Sequence, residues 1–261
     1  MLSEIYDYLT TATNAEFKKL GFLKESIAIQ HRYKRVHKNW DAHVRNTKAF
    51  ILDSIEGKSK KNEIIVLGSG ALIDVPIEAL CESFKKVILV DVIHPKTVVK
   101  LSKKNTAIQL IEADVSGLSK KYRKRLSPDK LPYPEPICPG YSEDTDFVLS
   151  VNLLSQLPVV FKSHLRYATE HESQVIDKWC QSIIHSHVKM ITELECDSCL
   201  ISDVKHIYEC DSEEPTESSS VYEYTMPEPD KSWTWDIAPP GELAKGSLRN
   251  VVNAYKNIHL S

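Results

Sequence analysis

The sequence predicts an α/β protein: a doubly wound, mostly parallel sheet of about seven strands with a terminal antiparallel hairpin and an N-terminal helical cap. Three observations carry that expectation. Short β-branched apolar runs recur and alternate with helix-compatible stretches, the pattern of a parallel sheet covered on both faces. The first 57 residues carry a helical period instead. Near the C-terminus, two segments alternate with period two, as edge-hairpin strands do.

Each element follows from local chemistry. Ile29, Tyr33, Val36, Trp40, Val44, Thr47, Ile51 and Ile55 repeat at steps of four and three, which places them on one helix face. Gly57 stops that helix, and the polar KSKKN linker follows. Residues 1–60 are therefore read as the helical cap and 61–261 as the α/β domain. Strand runs are expected at IIVLGSG from Glu63, at Lys86–Asp91, Ala107–Asp114, Asp146–Asn152 and Cys199–Asp203. Helices are expected at Pro76–Phe84, Lys96–Lys103 and Glu172–Leu194. The hairpin is assigned to Ser219–Met226 and Ser232–Ala238, joined by Pro227–Lys231, and Gly246–Leu260 is read as a last amphipathic helix. An insertion at 115–145, holding five of the thirteen prolines, reads as a lid or binding segment, and 211–220 as a surface loop.

Composition narrows the class. With 261 residues and 42% apolar content the chain can bury a large core. The net charge of −3 conceals two basic stretches, Lys18–Lys61 and Lys85–Lys130, each with twelve Lys/Arg against four acids. His206–Asp230 holds eight acids and no Lys or Arg. Such segregation suits a phosphate-bearing partner or a solvated surface. The six cysteines are scattered rather than framed, which fits reduced thiols and a cytoplasmic setting. No run approaches the 18 apolar residues of a membrane span, and no membrane partner is expected.

Glycine is scarce, 8 where usage of about 7% would give roughly 18. Two of the eight, Gly68 and Gly70, stand where the first strand ends, letting the backbone turn and a ligand approach the main chain. Asp91 follows Gly70 by 21 residues at the end of the second strand, suited to accept hydrogen bonds from ribose hydroxyls. Asp114 ends the third strand likewise. Gly-Ser-Gly, Asp and Asp thus share one sheet edge.

On these residues, over roughly 63–240, the chain resembles the class I S-adenosylmethionine-dependent methyltransferases, a Rossmann-like family. The resemblance implies S-adenosylmethionine as cofactor, with Gly68, Ser69 and Gly70 facing its methionine part, Asp91 holding the ribose and Asp114 contacting the adenine. It also implies that Asn152, with Ser155 and Gln156, lines the reaction cleft. The chain departs from the family at Val66, where an acid is usual, and at Leu72, where a third glycine is common.

Catalytic candidates are His43 and Asn152. His43 shares a helix flank with Arg35, Asn39 and Asn46 and can serve as a base, or it can lie on the surface beside a core Trp40. Asn152 can enter the cleft or close a strand end. Cys196, Cys199, His206 and Cys210 have the residue types of a zinc set, but an extended strand from Cys199 would carry Cys210 too far away, so no metal is expected. Trp233 and Trp235 share one strand face, read as core or as a stacking platform. The basic KKYRKR run, Lys120–Arg125, suits phosphate contact or solvent.

Three functions remain in view. The first is methyl transfer to an unidentified small molecule, protein or RNA. The second is a non-catalytic cofactor-binding or interaction module with the same fold. The third is nicotinamide-dependent oxidoreduction, opposed by the absence of any tyrosine followed four residues later by lysine.

Overall fold

The computed structural model describes residues 2–122, 128–165, 169–210 and 213–259. Three N-terminal helices, α1 (Leu2–Thr10), α2 (Ala15–Leu20) and α3 (Phe22–Ile55), precede the sheet. Five strands follow: β1 (Glu63–Leu67), β2 (Lys86–Asp91), β3 (Ile108–Glu112), β4 (Thr145–Val151) and β5 (Asp197–Cys210). Between them lie α4 (Ile77–Ser83), α5 (Lys96–Lys104), α6 (Val159–Lys162) and α7 (Glu170–Thr192), and β6 (Glu213–Ser219), β7 (Lys231–Ala238) and β8 (Ser247–Lys256) complete the sheet.

The eight-stranded sheet runs β3-β2-β1-β4-β5-β8-β7, with β6 also on β5. The first five strands are mutually parallel; β6 and β8 pair antiparallel with β5, and β7 pairs antiparallel with β8. The 3-2-1-4-5 order is that of a doubly wound, Rossmann-like sheet, whose crossover helices cover both faces. Residue alternation sends Ile65, Leu67 and Val148 toward α7, and Ile64, Val66, Phe147 and Leu149 toward α3, α4 and α5. α7 begins with a capping box between Thr169 and Glu172.

Three expectations are corrected. The segment read as a terminal helix is β8: pairing with β5 and β7 alternates Asn250, Val252 and Ala254 inward, so the long-range ladder overrides an ambiguous local period. The hairpin therefore joins β7 to β8, and residues 220–223 form a turn rather than a strand. Residues 213–219, expected as a loop, form edge strand β6 on β5; positions 211 and 212 lie outside the described residues. Within the 115–145 insertion, Ile137 N donates to Val115 O, and the Trp179 indole donates to Pro132 O at 2.8 Å. Part of the basic run, 123–125, lies outside the described residues.

The α3 stripe packs as its period requires, with Trp40, Thr47, Ile51 and Ile55 buried. The helix bends at Val36, where φ and ψ are −121° and 25°. Arg35 there makes a two-pronged ion pair to Glu242 in the β7–β8 connection (2.8 and 2.7 Å), fastening helix to hairpin. Among the described residues, no helix is long and apolar enough to cross a membrane.

Candidate functional site

A cavity of about 390 Å³ opens at the carboxyl ends of β1, β2 and β4 beneath α3. Such a crevice is where open α/β sheets bind ligands. It brings together Gly68, Ser69, Gly70, Asp91, Asp114, Asn152 and His43, drawn from five separated segments of sequence. Gln156 also lines it, whereas the Ser155 hydroxyl turns away and donates to Asp203 at 2.7 Å.

The glycine loop crosses the end of β2, with the amides of Gly68 and Ser69 both donating to Val90 O. Gly68 has a φ of +78°, and a Cβ there would sit 2.8 Å from Leu153 Cβ, so only glycine fits. The helix does not begin at the glycines: residues 71–76 form turns and α4 starts at Ile77. Leu72 adopts a φ of +59°, keeping the left-handed backbone that a glycine would take there.

Asp91 holds this loop in place. Its carboxylate accepts the Gly70 amide at 2.7 Å and the Ile93 amide at 3.2 Å. Burial raises its pKa, against those hydrogen bonds. A carboxylate has about four acceptor positions, so backbone amides leave acceptor capacity for a ligand. Asp114 is more committed: it accepts the Ser116 amide (2.9 Å), the Ser116 hydroxyl (2.6 Å) and the Ser119 amide (2.7 Å), and so organises its own turn.

Asn152 takes a left-handed φ of +46°, tolerated by its short polar side chain. Its Nδ2 donates to Asp74 Oδ2 at 2.5 Å. His43 is 1% exposed and stacks on Trp235 at 4.0 Å. The Trp233 indole N–H, which can only donate, reaches His43 Nδ1 at 3.1 Å. That bond puts the ring proton on Nε2, 3.8 Å from Asp74 Oδ2, and the Asn152 amide nitrogen 3.1 Å away is then a second donor beside it rather than a hydrogen-bond partner. Asn152 hydrogen-bonds that carboxylate, and His43 faces it from beyond hydrogen-bond distance. Burial pushes Asp74 upward, but His43 and Asn152 outweigh it and hold the carboxyl below its usual range. The Nδ1 lone pair that a base at His43 would use is therefore occupied.

Sequence reasoning missed Asp74 and Asn250 and did not place His206 or Trp235 in this site, yet all four line the cavity. Asn250 faces His206 across the β5–β8 ladder and Trp235 across β7–β8, so the three form a row on one face. Among the described residues, Ser69 Oγ, Asn152 Oδ1, Trp235 Nε1 and Asn250 Oδ1 are buried polar atoms without a hydrogen-bond partner, and all four residues line this cavity. Such orphaned groups are costly, and their concentration suits a polar ligand. Among the described residues, no three His, Cys, Asp or Glu side chains are grouped as metal ligands.

No family model matches the chain, and no curated protein matches it. Solved structures similar to it include a Burkholderia thailandensis 1,6-didemethyltoxoflavin-N1-methyltransferase with bound S-adenosylhomocysteine (TM-score 0.40, 11% identity, 94% of this chain and 92% of that one). The DhpI-SAM-HEP complex is similar at a TM-score of 0.37 and 8% identity, over 93% of this chain and all of that one (100%). A glycopeptide N-methyltransferase, MtfA, complexed with S-adenosylmethionine, is similar at a TM-score of 0.32 and 8% identity, over 80% of this chain and 93% of that one.

Proposed function

We propose that the chain is a divergent class I methyltransferase that uses S-adenosylmethionine. The observation that carries this reading is the single cavity in which Gly68, Ser69, Gly70, Asp91, Asp114 and Asn152 meet at the carboxyl ends of the central strands. The donor and acceptor set fits the cofactor. Asp91 offers spare acceptor positions to ribose hydroxyls, and the Asp114 turn borders the adenine. The ionised Asp74 suits the cofactor's ammonium group, supplying the acid that Val66 does not. Residues 1–60 act as the cap over the 61–261 domain, and the protein works in the cytoplasm, where its cysteines stay reduced.

The bound cofactor supplies a sulfonium methyl, already a good electrophile. The protein's contribution is alignment and exclusion of water, worth several kcal/mol in a bimolecular step. Asn152, held by Asp74, and the aromatic wall of Trp40 and Trp235 provide that frame.

Calorimetric titration is expected to show S-adenosylhomocysteine binding, with Asp91→Ala weakening it more than about tenfold, or 1.4 kcal/mol. Asp91→Asn keeps the side chain's shape and checks that the loss is not unfolding. No heat with either form of the cofactor, together with binding of a nicotinamide dinucleotide, overturns the reading.

A further inference from the structure

His206, which lines the cavity, and Asp203, buried behind it, form a second titratable pair that methyl-donor binding does not use. β5 pairs with β8 through Asp203↔Val252 and then Lys205↔Val251, so Val204 is an extra residue at a bulge. The bulge places Asp203 and His206, three apart, on the same face. Asp203 is 1% exposed; its Oδ1 accepts the Ser155 hydroxyl at 2.7 Å, and its Oδ2 lies 3.2 Å from His206 Nε2. A carboxylate opposite Nε2 fixes the proton there and leaves the Nδ1 lone pair free. Among the described residues Nδ1 has no hydrogen-bond partner, and His206 lines the cavity beside the orphaned Asn250 Oδ1.

We propose that His206, oriented by Asp203, is the general base for a small-molecule acceptor that carries a proton on its nucleophilic nitrogen or oxygen. The proposal rests on the methyl-transfer reading. In the reaction, the acceptor's lone pair forms the new bond to the methyl carbon as the C–S bond breaks and its electrons stay on sulfur. The acceptor's N–H or O–H proton passes to His206 Nδ1. The resulting imidazolium lies against Asp203 until water takes the proton. Ile29, Trp40, Ile237 and Leu248 supply apolar walls, and Asn250 Oδ1 can accept a second N–H or O–H. These walls, set beneath α3 in a cavity of about 390 Å³, favour a compact, largely apolar acceptor.

Three readouts test this. Long-range proton–nitrogen NMR at pH 8, assigned with His206→Gln, is expected to show the Nε2–H tautomer; an Nδ1–H tautomer overturns the proposal. Diethyl pyrocarbonate acylates free imidazole nitrogens, so His206 is expected to react and His43 to resist. Saturating S-adenosylhomocysteine should slow the His206 reaction severalfold. Calorimetric binding with unchanged acylation places His206 away from the methyl and overturns the base role; absence of binding instead removes the methyl-transfer reading beneath it. With methyl-labelled S-adenosylmethionine and cell extract, label is expected in products below 1 kDa. His206→Gln should lower that transfer about 100-fold while leaving cofactor affinity intact. Label confined to macromolecules, or transfer unaffected by His206→Gln, overturns the proposal.

Discussion

Trp40→Ala is expected to lower the unfolding free energy by about 4 kcal/mol, the usual cost of emptying a large aromatic from a packed site. Trp40 is 2% exposed, meets Trp235 edge-on at 4.7 Å and Tyr33 at 5.6 Å, and donates its indole N–H to Ile237 O at 3.2 Å. It is the point where α3, just past its bend, is joined to the far edge of the sheet. Trp40→Phe keeps most of the ring contact and loses the hydrogen bond, so a smaller loss of about 1 kcal/mol is expected. Urea unfolding measures both, provided the slope with denaturant is unchanged. A loss below about 1 kcal/mol for the alanine variant would show that α3 is held by other contacts.

Acid is expected to destabilise the fold through His187. This residue on α7 is fully buried, with Nε2 3.0 Å from the Ser150 hydroxyl of β4 and Nδ1 without a partner among the described residues. Burial disfavours the imidazolium and pushes the pKa from 6.5 to about 4. The unfolded chain therefore binds more protons than the folded one between those values, so the contribution is complete above pH 6.5 and is lost as pH falls toward 4. At 1.36 kcal/mol per pKa unit the loss is about 3 kcal/mol. His187→Gln, which can still reach Ser150, should remove that share of the difference between pH 7.5 and pH 4. Equal losses in the two proteins would show that the imidazole is protonated within the folded state.

The parallel half of the fold was legible because its strands are fully buried and read as unbroken apolar runs: Glu63–Leu67, Lys86–Asp91 and Thr145–Val151 lie close to their expected limits. The antiparallel half was not. In β8 the sequence NVVNAYK places apolar residues at spacings that suit either period, and pairing decides between them. β6, EEPTESS, has no apolar residue and contains a proline, and it exists because β5 continues beyond β4 and leaves an edge to cover. The same division runs through the site. Gly68, Gly70 and Asp91 announce themselves by spacing, whereas His206, Trp235 and Asn250 meet only through ladder registers across three strands. Asp74 carried no local signal, and its meaning comes from Asn152 and His43, far away in sequence.

The separation between Trp40 and Ile237, 197 residues, also sets a timetable. At about 5–20 residues per second, the ribosome delivers α3 roughly 10–40 s before its partner strand. Through that interval the C-terminal part of the stripe, Ile51 and Ile55, can pack on β1 and β4, while Trp40 lacks its partners on β7. The cavity's outer wall is therefore the last part of the fold to be completed, because Trp40 finds its ring partner Trp235 and its acceptor Ile237 only once β7 has been made.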